Sequence, residues 1–157
     1  MDDCIFCDIP VNQRDRLVFE NVHAYGIFSP TPAVFGQAII APKGHVTDVR
    51  QLSGQRLEDY VHAVPKTFEE IRKMLDSQEG RERLVRYYLA LNEYPRFSKY
   101  ALHMLSLSGN ILVPQGYNTG TNDNEFAGQS QPHIHTHLFP RTVKGDGIVA
   151  MVRNFVR

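Results

Sequence analysis

Three histidines, His133, His135 and His137, fall within five residues of a chain that holds seven in its 157 residues. Imidazole titrates near neutral pH and serves as nucleophile, general base or metal ligand. A spacing of two is the period of a β-strand. A strand over residues 132–139 therefore points all three rings one way and Ile134, Thr136 and Leu138 the other, with successive same-face positions roughly 6.5–7 Å apart. Three readings stand open for such a row: a polar, solvated sheet face; a three-histidine metal site; or nucleophilic catalysis by an imidazole whose neighbours fix its tautomer. The preceding loop bears on the choice. Gly128-Gln129-Ser130 offers backbone N–H groups, an amide and a hydroxyl, and Asn118, Asn122 and Asn124 add further amides. Such donors suit an anionic phosphoryl oxygen, and they favour phosphoryl chemistry over a catalytic metal.

The two cysteines, Cys4 and Cys7, form a C-x-x-C pair. In a reducing compartment that spacing belongs to metal or redox sites more than to structural disulfides. With no further cysteine in the chain, a zinc ion at this pair must recruit histidines from far along the sequence. Two apolar, metal-free cysteines are the plainer alternative.

These groups need elements to hold them. Residues 16–29 carry two short apolar stretches around Glu20–His23, which predicts a hairpin. Residues 37–42 read as a third strand closed by Pro42. From Gly54 to Leu75, the residues Leu57, Val61, Val64, Phe68, Ile71 and Leu75 recur every three or four positions, which predicts an amphipathic helix kinked at Pro65 and ended by Gln78-Glu79-Gly80. A second helix is expected over 81–92, stopped by Pro95, and residues 93–108 fit either helix or loop. A strand over 110–118, a Gly/Asn/Asp-rich loop over 119–131 and the histidine strand, ended by Pro140, complete the order. Residues 142–157 are ambiguous, with a Gly-Asp-Gly turn. Strands first, helices in the middle and strands last indicate an α+β fold with a mainly antiparallel sheet.

Composition sets the outer bounds. A chain of 157 residues fits one domain, and 42% hydrophobic with 22% charged residues is ordinary for a globular protein. Seventeen basic residues balance seventeen acidic ones, so electrostatics gives no case for nucleic acid or a membrane as partner. No apolar run reaches the length of a membrane span, and MDDCIFCDIP is too polar for a secretory signal, so the expected compartment is the cytoplasm.

The segments CIFCDI, APKGHV, GYNTGTN, AGQSQPHIHTHLFPR and KGDG, in this order, resemble the histidine triad (HIT) family over roughly residues 4–52 and 110–148. The resemblance implies a five-stranded antiparallel sheet with helices, a single domain over 1–157 with an enlarged helical connector at about 76–109, and a homodimer. It implies that His135 attacks the α-phosphorus of a nucleotide conjugate, with His137 as its same-face partner and no catalytic metal. Gln129 and Ser130 would contact the phosphate, Asn122 would lie near the scissile phosphate, and Phe6, Ile9 and Ile27 would surround base and ribose. In zinc-containing bacterial relatives, cysteines of this kind join two histidines, which are here His45 and His133. A closed Cys4/Cys7/His45/His133 tetrahedron would be structural.

Two positions depart from the family pattern: Ser29 stands where a ribose-binding Asp is expected, and Gln37 where a further histidine is. The resemblance therefore points to a hydrolase or transferase acting on a phosphoramidate or dinucleoside polyphosphate. A nucleotidyltransferase, or a nucleotide-binding module with little activity, is the alternative. The aromatic connector containing Tyr87, Tyr88, Tyr94, Phe97 and Tyr100 reads either as extra packing or dimer interface, or as a wall over the substrate cleft.

Overall fold

The structure is a computed structural model that describes residues 4–145 and 147. Strands β1 (Leu17–Glu20), β2 (Ala24–Phe28) and β3 (Ala38–Pro42) precede three helices, α2 (Gly54–Asp76), α3 (Gln78–Asn92) and α4 (Pro95–Leu107). Strands β4 (Gly116–Thr121) and β5 (Thr136–Arg141) follow, and a short helix α1 (Ile5–Asn12) opens the described chain. The five strands form one antiparallel sheet in the order β1-β2-β3-β5-β4, the α+β architecture expected from the sequence.

Alternation along the strands builds two layers. Ala24 and Phe28 of β2, Ala38 and Ile40 of β3, and Leu138 of β5 face α2–α4 and form the main core with Phe68, Ile71, Leu75, Leu84, Tyr88 and Met104. Their neighbours Tyr25, Ile27, Ile39 and Ala41 face the opposite way and pack under Phe6 and Ile9 of α1. Helix α2 approaches β2 closely at Gly26, where an added Cβ would stand 2.7 Å from Thr67 Cγ2. Only glycine fits there.

Several boundaries differ from the sequence reading, each for a visible reason. Helix α2 continues unbroken through Pro65. The N–H that proline lacks would have served the carbonyl of Val61, a residue on the exposed side of the helix where water can serve it. The buried face of α2 starts with Tyr60, Ala63 and Thr67, whereas Leu57 and Val61 are exposed; Tyr60 is turned inward by a 2.7 Å hydrogen bond to Thr136 Oγ1. Gln78-Glu79-Gly80 opens α3 rather than closing α2, because the Ser77 hydroxyl accepts from Gly80 N at 3.0 Å as an N-cap. Pro95 starts α4 instead of merely stopping α3. Strand β4 begins at Gly116, not 110, after a 3-10 turn at Ser108–Asn110 and a stretch containing Pro114. Pro140 lies inside β5: at that point β5 pairs only with β4, so no N–H is missed on the β3 side. Asp146 of the Gly-Asp-Gly turn and residues 148–157 lie outside the described residues.

Candidate functional site

The histidines leave the sheet before they reach its end. Only His137 belongs to β5, while His133, at the end of a bend, and His135 lie in the segment that precedes it. Residues 42–47 hold that segment. Ile134 N donates to Val46 O at 2.6 Å, and Gln129 Nε2 donates to Thr47 O at 3.3 Å. The expected alternation survives: Ile134 and Leu138 are buried in the main core, while the histidine rings share the opposite side. The rings of His135 and His137 are 4.9 Å apart, and Phe6 packs 4.8 Å from His135 and 5.5 Å from His133. A polar, solvated sheet face is excluded, since His133 is fully buried and His135 nearly so.

Hydrogen bonds assign the tautomers. His135 Nδ1 lies 2.9 Å from the carbonyl of His133. A carbonyl only accepts, so Nδ1 carries the proton and the lone pair is on Nε2. His137 Nδ1 is buried with no partner among the described residues. Burial first, and then the neighbouring His135, push the His137 pKa down to about 4, so the ring is neutral at physiological pH.

The loop from 122 to 130 is braced largely by its own side chains. Asn124 N donates to Gln129 Oε1 at 2.8 Å, Asn124 Oδ1 accepts from Phe126 N at 3.0 Å, and Asn122 Nδ2 donates to Gly128 O at 3.3 Å. Gly128 closes this turn at φ 86°, which favours glycine. Asn124 is thus committed to the turn, Asn118 lies in β4, and Ser130 is exposed beside the histidine segment. Asn122, Gln129 and Ser130 are brought to one loop leading into the histidines. Phe6, Ile9 and Ile27 form one buried cluster. Ser29 is fully buried, and its hydroxyl accepts from Thr31 N at 3.2 Å. Gln37, also buried, accepts from Ala33 N at 2.7 Å. Both departures from the family pattern brace the 29–37 turn.

At the other end of the row, Cys4, Cys7, His45 and His133 converge, with one ligand atom from each lying within 4.8 Å of all the others. His133 Nε2 donates to Pro42 O at 3.0 Å, which leaves the Nδ1 lone pair facing Cys4 Sγ at 3.3 Å and Cys7 Sγ at 3.7 Å; His45 Nδ1 is also 3.7 Å from Cys7 Sγ. A zinc tetrahedron of N and S ligands has edges of roughly 3.3–3.8 Å. Three separations fall in that range and none exceeds 4.8 Å, so the set is compatible with zinc in donor chemistry and close to it in spacing, and the Pro42 carbonyl holds His133 in the tautomer that could ligate. Burial, reinforced by Cys4, pushes the Cys7 thiol up to about 11, and burial pushes His133 down to about 4.

What sequence reasoning missed are backbone carbonyls: those of Pro42, Val46, Thr47 and His133 set tautomers and hold the segment, and residue type does not announce them. His23, read as a turn residue, also bonds Asp59 of α2 at 2.7 Å. His62 and His103 are exposed on α2 and α4, away from the row.

Comparisons with known proteins agree with the geometry. The family described as the HIT domain matches residues 11–144. The chain is 28% identical over 151 residues to the protein named hit of Bacillus subtilis, covering 96% of this chain and 79% of the relative. An uncharacterized HIT-like protein of Methanocaldococcus jannaschii is 24% identical over 147 residues, covering 93% and 84%. A crystal structure of a HIT family member from B. subtilis superposes with a TM-score of 0.57 at 26% identity, over 94% of this chain and 79% of that one. A HIT family hydrolase from Clostridium thermocellum shares the fold, with a TM-score of 0.57 at 20% identity over 94% and 98%.

Proposed function

The chain belongs to the HIT domain family, and from that premise we propose that it is a hydrolase acting at the α-phosphate of a nucleotide conjugate, a phosphoramidate or dinucleoside polyphosphate. The observation that carries the reading is the pinned tautomer of His135, with Nδ1–H held by the His133 carbonyl. Its Nε2 lone pair attacks the phosphorus and forms an N–P bond while the leaving group departs with the P–X electron pair. Water then attacks the nucleotidyl-histidine, releases the nucleoside monophosphate and returns the lone pair to Nε2. His137, neutral and 4.9 Å from His135, orients that ring and tempers its charge. Asn122 and Gln129, each with one side-chain amide N–H beyond its bond within the loop or to Thr47, and the Ser130 hydroxyl supply donors to the phosphoryl oxygens. Phe6, Ile9 and Ile27 back the nucleoside end, and Ser29, at the family's ribose-binding position, is buried behind it.

Zinc, held by Cys4, Cys7, His45 and His133, would supply a closed structural cross-link and no open coordination position. It would tie α1, which carries Phe6, to the histidine row. The protein is read as a cytoplasmic homodimer without nucleic-acid or membrane partners. Among the described residues no helix is long and apolar enough to cross a membrane, and β4, one of the two edge strands, presents an edge that a second copy could join. Comparison of wild type and His135→Ala on adenosine phosphoramidate and diadenosine polyphosphates tests the reading. Turnover should be lost by at least about a thousandfold; equal rates would defeat it. Acceleration by added phosphate or sugar phosphate would identify a nucleotidyltransferase instead.

A further inference from the structure

We infer that the junction of α3 and α4 reads the base of the bound nucleotide and selects guanine. The inference rests on the nucleotide reading above. A cavity of about 520 Å³ lies between the N-terminal segment and this junction, lined among others by Ile5, Asp15, Pro30, Tyr94, Arg96 and Phe97. Its volume suits a small planar ligand.

Two of its lining residues are chain neighbours of the elements that flank the histidines. Ile5 precedes Phe6, whose ring packs 4.8 Å from His135. Pro30 lies just beyond the end of β2, whose Ile27 shares a cluster with Phe6. A nucleotide with its phosphate at His135 and its sugar against α1 would extend its base toward this space.

The lining is chemically two-sided. Ile5, Tyr94 and Phe97 offer apolar and aromatic surface for stacking, and the Arg96 guanidinium sits 4.4 Å from the centre of the Phe97 ring. Four polar residues border the space: Arg16 and Gln13 are bonded to each other at 2.7 Å, whereas neither Arg96 nor Asp15 forms an ion pair among the described residues. Arginine presents donors only, and an ionised aspartate acceptors only. Guanine matches both, with the paired acceptors O6 and N7 for a guanidinium fork and the N1–H and N2–H donors for a carboxylate. Adenine sets a donor beside N7 and has no N1–H, so it satisfies neither group fully. The helical connector thus supplies a discriminating wall, and the buried Ser29, whose hydroxyl is bonded within its own turn, leaves recognition to the base.

Isothermal titration of GMP, IMP, AMP and UMP into wild type, Arg96→Ala and Asp15→Asn tests this. Both residues are exposed, and thermal melts verify that the variants fold. GMP should bind about tenfold more tightly than AMP, the size of one good bidentate pair. IMP, lacking the N2 amine, should fall between them. Each variant should bring GMP close to AMP while AMP changes less than about twofold. Equal binding of the four nucleotides by wild type, or a guanine preference that survives both substitutions, overturns the inference and leaves the nucleotide reading intact. Absence of binding by all four overturns both.

Discussion

Tyr25→Phe isolates one contact that links helix α1 to strand β2. Pro10 lies inside α1 and has no N–H, so the carbonyl of Phe6, four residues earlier, lacks its helical donor. The Tyr25 hydroxyl takes that place, donating to Phe6 O at 2.6 Å in a buried setting. Removing one oxygen atom leaves that carbonyl without either donor, at a cost of about 1–3 kcal/mol. Pro10→Ala restores an N–H at the right position. In the Tyr25→Phe background it should recover roughly half the loss or more, whereas in wild type, where the carbonyl is already served, it should gain little. The coupling between the two changes should thus reach about 1 kcal/mol. The chain has no tryptophan, so urea unfolding is followed by far-ultraviolet circular dichroism, with the denaturant slope checked for constancy. A Tyr25→Phe protein within roughly 0.3 kcal/mol of wild type, or additive effects of the two changes, would refute the reasoning.

Three further perturbations have defined outcomes. Gly26→Ala drives a Cβ into the buried Thr67 and should cost about 1–3 kcal/mol in denaturant unfolding; Thr67→Ala, which removes the obstructing Oγ1 and Cγ2, should restore most of it. The His137 pKa is held near 4 by burial, below the usual imidazole value of about 6.5. Between these values the unfolded chain binds more protons, so stability should fall as pH drops through that window, by up to about 1.4 kcal/mol per pH unit. A His137→Gln protein at equal metal loading should lack that part of the slope, and an identical pH profile would contradict the assignment. Native mass spectrometry should find one zinc per chain, lost in Cys4→Ser together with thermal stability; a stable, metal-free wild type with both thiols freely alkylated would count against the site.

Sequence pattern carried most of this architecture because the physics behind it is local. The two-residue period placed His133, His135 and His137 on one side even though only His137 is in a strand. The hairpin, the third strand and the long helix follow from apolar periodicity. Element ends followed less well, because they depend on partners remote in sequence: Pro140 is tolerated in β5 only since β3 has already ended beside it, and Tyr60 is buried rather than Leu57 because Thr136 waits opposite. The cysteine–histidine cluster was legible only through family resemblance, as spacing alone does not bring residues 4 and 133 together. The carbonyls of Pro42 and His133, which decide the tautomers of His133 and His135, have no sequence signature at all.

The central claim is that His135 Nε2 becomes covalently joined to the nucleotide. Rapid acid-free quench of wild type with a nucleotidyl phosphoramidate, followed by proteolysis and mass spectrometry, measures this directly. A nucleoside monophosphate adduct is expected on the peptide carrying His135, acid-labile as a phosphoramidate bond must be, formed and discharged at rates compatible with turnover. Full turnover with no such adduct, or with the nucleotide on a different residue, would contradict it.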